Sequence, residues 1–306
     1  MTAPEAASMA DIWRALRAPS SPAITQRPTD RDDRAHMHRL AQIEQVQRAD
    51  PMDLSFYAQD VRYSEIQRDL LVHLLPVCLQ AWHDDLRGLA NDYEGFVADF
   101  YPLLADRSVF DTHLTPAQTT VVSAFMRQSI LDEIDAQRGL FHSGLGRAVY
   151  RWIMAVTTYG VVRPDIAELW TAWWRVDTTG RAVAAVQYAS ALMYPDDANP
   201  IFAAWTRDEG GGPPSLWEFN GHLYSHRWQD ANVAFLRQTL TVEAVTDLLE
   251  RAATVLTGEP EHGAARKVLA DVPARLGMLA ARCGQLPTLL AQSAELNPVG
   301  WPDPRG

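Results

Sequence analysis

Lysine is almost missing from this chain. Of the 27 lysine and arginine residues among 306, one is lysine, Lys267. Chemistry that depends on a lysine amine, such as Schiff-base formation, pyridoxal phosphate anchoring or a Walker-type phosphate loop, must use that residue or be absent. Lys267 lies in Ala264-Ala265-Arg266-Lys267-Val268, which reads as the outer face of a helix, and no GxxxxGK[ST] segment exists. Cysteine is scarce as well. Cys78 and Cys283 stand far apart in apolar, helical surroundings and form no CxxC pair. That argues against a thiolate zinc site and a disulfide-built scaffold, and for two buried free thiols.

Long hydrophobic runs are missing too. The most apolar stretch, Leu70 to Leu79, is short and holds His73 and Pro76, whereas a membrane helix needs about 20 apolar residues. The first residues, Met1 to Ser8, lack a basic segment followed by an apolar one, so no signal peptide is expected. Net positive charge is absent: the formal net charge is −11. A nucleic-acid binder needs a basic footprint, and anionic lipid would repel this chain. The expectation is a cytoplasmic protein that engages neither membrane nor nucleic acid. Strand-like alternation is also nearly absent, and Asn220-Gly221 has no alternating flanks.

Helical periodicity is present almost everywhere. Thr241 caps a stripe of Val242, Val245, Leu248, Leu249, Ala252, Val255 and Leu256, ended by Gly258 and Pro260. Thr115 with Pro116 opens a second helix, whose buried face runs from Val121 to Ile134. Ser64-Glu65-Ile66-Gln67 has capping-box spacing and leads into a long helix containing Pro76, which should kink it. Further helices are expected at about 30–48, 93–104, 145–158, 164–176, 178–194, 215–238 and 260–283. The fold expectation is therefore all-α, an irregular bundle or array of roughly ten or more helices without a significant sheet. Residues 1–29 read as a flexible arm with a short helix and 30–296 as a single helical domain. A Gly/Pro-rich loop falls at 206–215, and 297–306 form an extended tail.

Several constellations could carry function. Glu218, His222, His226 and Asp230 recur every four residues, one face of a helix, and His-x-x-x-His is metal-ligand spacing. Glu218, His222 and His226 are the candidate ligands of a divalent metal, the one cofactor the sequence suggests, although no HExxH general base accompanies them. Hydrogen bonding and ion pairing on a half-exposed helix, for instance with Arg227, is the structural alternative. Seven of the ten tryptophans lie between Trp152 and Trp228. Trp170, Trp173, Trp174, Trp205 and Trp217, with Tyr224, are candidates for a binding surface or an aromatic-walled pocket, because indoles are enriched at binding hot spots. Dense core packing by large residues is the simpler alternative, although Trp173-Trp174 cannot both point inward from one helix. The glycine-rich turn Gly139 to Gly146, followed by Arg147 at a helix start, could hold an anion or be a tight interhelical turn. His83-Asp84-Asp85, with His73 nearby, invites comparison with HD-type phosphohydrolases, but the downstream pattern is missing.

The segment Gly160-Val161-Val162-Arg163-Pro164 through Arg175, Thr178 and Gly180, with Leu223-Tyr224-Ser225 beyond it, resembles bacterial class I terpenoid synthases. Those are all-helical, of similar length, and hold magnesium against diphosphate with an early aspartate-rich motif and a later Asn/Ser/Glu motif. The resemblance would assign these motifs to Asp84-Asp85 and Ser225. However, Asp84-Asp85 lacks the further acidic residue, and Gly221 and Gln229 stand where the Asn and Glu ligands belong. The resemblance thus implies at most a degenerate relative in fold.

Taken together, the residues point to a binding protein with no evident catalytic apparatus that engages a protein partner in an immunity-type or accessory role. Its negative charge would steer it toward a basic surface. The competing expectations are a metal-dependent enzyme at Glu218, His222 and His226, and a helical bundle that encloses a small molecule.

Overall fold

The computed structural model describes residues 7–17, 22–25, 33–42, 49–61, 65–87, 103–140, 147–194, 199, 201 and 227–292. Among them are twelve helices and no strand, the all-α architecture expected. The chain gathers into two compact units, one built on Met1–Ser129 and one on Ile130–Val299.

The first unit contains α1 (Met9–Ala15), α2 (Asp33–Gln42), α3 (Pro51–Asp60), α4 (Arg68–Leu86) and a π-helix (Val109–His113). Ser8 and Asp11 close a capping box on α1, which satisfies two of its orphan N–H groups. Helix α4 begins three residues later than the Ser64 capping box predicts. Gln67 is its N-cap in extended conformation, and Glu65 to Gln67 are not helical. The reason lies in the Gln67 side chain, which accepts from the Thr25 N–H at 2.7 Å and donates to the Ala23 carbonyl and Asp69. Those bonds tie the 22–25 segment to the start of α4. Pro76 sits inside α4, and the helix runs through it while burying twelve residues, Leu70 through Leu86.

Helix α5 (Pro116–Ala136) opens with the expected Thr115 cap. Thr115 and Gln118 exchange bonds at 3.0 and 3.3 Å, with Pro116 at the first position. The division between the units falls within this helix. The second unit continues with α6 (Arg147–Val162), α7 (Ile166–Trp174), α8 (Thr179–Met193), α9 (Asp230–Thr239), α10 (Val242–Val255) and α11 (His262–Leu290).

Helix α8 is the axis of this unit. Thirteen of its fifteen residues, from Gly180 to Met193, are buried, and it packs against α10 and α11, which also pack on each other. Burying each such Val, Leu or Met side chain stabilises by about 1.5–3 kcal/mol. Gly180 permits the close approach of α8 to α5, because a Cβ there would stand 2.0 Å from the Asp135 carbonyl oxygen. Thr178 and Arg181 fix the same crossing by donating to the Asp135 carboxylate at 2.6 and 2.9 Å. At the far end of α8, Arg282 of α11 donates to the carbonyls of Ala191 and Tyr194, so a cation completes the C-terminal orphans.

The turn from α6 to α7 is built by side chains from α9. Asn232 is buried, accepts from the Ile166 N–H at 3.1 Å, and donates to the carbonyls of Gly160 and Arg163. Trp228 lies flat over Gly160, where a Cβ would come within 2.5 Å of the indole. The expected helix 215–238 is not continuous. Residues 227–229 are non-helical and α9 starts at Asp230 behind a Gln229 N-cap. Asp230 therefore does not continue a single helical row from His226, and it pairs with Arg227 instead. No helix among the described residues is long and apolar enough to cross a membrane.

Candidate functional site

The tryptophan-rich region forms one aromatic cluster in the second unit. Trp152 projects from α6, Trp170, Trp173 and Trp174 from α7, and Tyr188 from α8. Spacing of three places Trp170 and Trp173 on the inward face of α7, and they are 2% and 0% exposed. Trp174, about 100° further round the helix, is half-buried. The rings meet mostly edge to face: Trp170–Trp173 at 5.3 Å and Trp152–Trp173 at 5.5 Å, with Trp170–Trp174 stacked at 4.9 Å. Such pairs contribute about 0.5–1.5 kcal/mol each beyond burial. The indole N–H groups of Trp170 and Trp173 are buried without a hydrogen-bonding partner. Burial pushes the Tyr188 hydroxyl well above its usual range. Trp170 and Trp173 thus build core, and of the three α7 indoles only Trp174 offers surface.

A buried polar chain, unheralded in the sequence, anchors the cluster. Trp152 Nε1 donates to Gln187 Oε1 at 3.3 Å, Gln187 Nε2 approaches Gln137 Oε1 at 3.4 Å, and Gln137 Nε2 donates to Glu133 Oε1 at 2.6 Å. It links α5, α6 and α8 and fixes their register, since each partner lost would leave a buried polar group unsatisfied.

Directly after α7 the backbone does something the sequence does not announce. Val176 has φ +54°, the one non-glycine positive φ among the described residues. Its N–H closes the helix end on the Trp173 carbonyl at 3.1 Å. This is the left-handed position following a helix, where glycine is the usual occupant and a β-branched residue is an outlier. The Val176 side chain is 2% exposed and floors an open depression of about 330 Å³, walled by Glu250, Arg251, Thr254 and Val255 of α10. The exposed face of α10 also carries Glu243 and Asp247, while the depression itself has one carboxylate, Glu250, beside the Arg251 guanidinium.

The other candidates fall out as follows. Trp205, Trp217 and Tyr224, and the proposed ligands Glu218, His222 and His226, lie outside the described residues, as do 206–215, 293–306 and residues 93–102 of the expected helix 93–104. Arg147 is the first residue of α6. In the glycine-rich turn the Gly139 N–H donates to Glu261 Oε1 at 2.7 Å, and residues 141–146 lie outside the described residues. His83 Nδ1 meets the buried Ser129 hydroxyl at 2.9 Å, and Asp84 accepts from Gln80. No group of three His, Cys, Asp or Glu side chains among the described residues could hold a metal ion, so His83, Asp84 and Asp85 do not assemble one among themselves. Both cysteines are free and buried, and burial raises their thiols, that of Cys283 to about 11. Lys267 is exposed on α11. No family model, no curated protein and no solved structure matches the chain.

Proposed function

We propose that this chain is a helical binding protein that engages a basic protein partner, with the depression floored by Val176 as its point of contact. The observation that carries this reading is the left-handed Val176. A strained β-branched residue persists only where its surroundings over-determine it, and such outliers cluster at ligand clamps and switch regions. Here the strained residue, 2% exposed, lines a surface concavity. The concavity is open and small, of a size to take one inserted side chain from a partner. Glu243, Asp247 and Glu250 outnumber Arg251 on the exposed face of α10, which suits a basic partner, and the net charge of −11 steers approach from a distance. Trp174 is the half-buried aromatic nearest in sequence, backed by the packed indoles behind it.

The test is capture from a native lysate by wild type, Thr254→Arg and Glu250→Arg. Both positions are exposed, so each variant should melt within about 0.5 kcal/mol of wild type. A stoichiometric partner held by wild type and lost by both variants supports the reading. No stoichiometric partner, or one that both variants retain, removes it.

A further inference from the structure

The first unit holds a histidine prepared in a way that packing does not require. On α2, His36 stacks on Phe56 of α3 with ring centroids 4.0 Å apart and planes 24° from parallel. Its Nδ1 is hydrogen-bonded to Asp53 Oδ1. Asp53 is buried, with its side chain 6% exposed. It is held from the other side by Arg39, which donates through Nε at 2.9 Å to Oδ2 and through Nη2 to Oδ1. A carboxylate between these donors accepts from both, so Nδ1 carries the proton and the lone pair of the ring is on Nε2. Among the described residues Nε2 has no hydrogen-bond partner, and it is not among the buried unpartnered atoms. His73 is the contrast: its Nε2 is buried without a partner.

We propose that His36 is a nucleophilic imidazole that accepts a phosphoryl group at Nε2, with Asp53 as its positioning residue. A buried carboxylate on Nδ1–H holds the tautomer and balances the positive charge that develops on the ring when Nε2 forms a bond. The guanidinium beside it selects an anionic electrophile. Arg39 Nη2 lies on the Nδ1 side of the ring, where it and Nδ1–H converge on the same Asp53 oxygen, its side chain is 52% exposed, and no described residue accepts from Nη1. The donor class is a phosphoryl compound with a good leaving group, an acyl phosphate or a phosphoramidate. With phosphoramidate the Nε2 lone pair bonds to phosphorus, the donor's P–N bond breaks, and ammonia leaves with that electron pair. The proton on Nδ1 stays shared with Asp53.

The experiment treats the full chain with phosphoramidate near neutral pH. It maps the product by mass spectrometry and assigns the ring nitrogen by phosphorus NMR. His36 should be modified first, at Nε2, about tenfold or more faster than the accessible His38, His113 and His262. Asp53→Asn should bring His36 down to their rate, and Arg39→Gln should slow it while circular dichroism stays that of wild type. If Asp53→Asn does not fold, the wild-type ranking and Arg39→Gln decide. A His36 rate no greater than that of the other histidines overturns the proposal. So does a lead that persists undiminished in Asp53→Asn, or in Arg39→Gln.

Discussion

Val176 carries a conflict between backbone and side chain that can be measured. Left-handed backbone costs an L-residue with a Cβ about 1–2 kcal/mol, and the buried side chain returns about as much by leaving water. Val176→Ala keeps the strain and loses most of the burial. Val176→Gly loses the burial and the strain together. The glycine variant should therefore melt at or above the alanine variant, the reverse of their usual order away from positive φ. A glycine variant clearly less stable than the alanine variant would contradict the φ of +54°. Gly180 works in the opposite sense. A Cβ 2.0 Å from the Asp135 carbonyl meets backbone that cannot swing away, so Gly180→Ala should destabilise by about 3 kcal/mol or more in a denaturant titration. Asp53 adds a pH dependence. Hydrogen bonds from Arg39 hold its carboxyl below the ordinary carboxylate range, although burial opposes them. The stability it contributes is present above the unfolded-state pKa near 3.9 and is lost as pH falls through the lower folded value. Asp53→Asn should flatten that acid limb of the stability curve while leaving its neutral region sloped as before.

At the scale of elements, local chemistry predicted helix starts well wherever a side chain closed on its own backbone. Thr241 accepts from the Ala244 N–H at 3.2 Å, and Thr241→Ala should cost about 1 kcal/mol, read as a shift in melting midpoint. Thr115 with Gln118 behaves likewise. Ser64 failed as a start signal because Gln67 spends its side chain on Ala23 and Thr25, a contact 42 to 44 residues distant that no local pattern encodes. The expected helix 215–238 is broken at 227–229, where the backbone N–H groups of Trp228 and Gln229 go to Leu290 and Gly160. The inward and outward fates of Trp173 and Trp174 were legible, since consecutive helical residues diverge by about 100°. Val176, Asn232 and the pairing of His36 with Asp53 were not legible. Each depends on which helices meet, and composition around them is ordinary.

At the scale of the whole molecule, charge governs the encounter rather than the fold. Thirty-eight acidic residues against 27 basic ones leave −11, a field that extends about one Debye length, near 8 Å at physiological salt. Fields of this kind act on the association rate, whereas the seated contact at Val176 sets how long a complex lasts. Raising salt should therefore slow the association of the partner captured by wild type, about tenfold or more between low salt and several times physiological ionic strength. Its dissociation rate should change far less. Lowering the pH toward the isoelectric point, about 5.2, should act on the same rate, because carboxylates and histidines taking up protons erase the net charge that steers the partner. Thr254→Arg supplies the complementary half: by filling the depression it should raise the dissociation rate while altering the net charge by a single unit. An association rate indifferent to salt would place recognition in contact chemistry alone and leave the acidic face of α10 without a part in it.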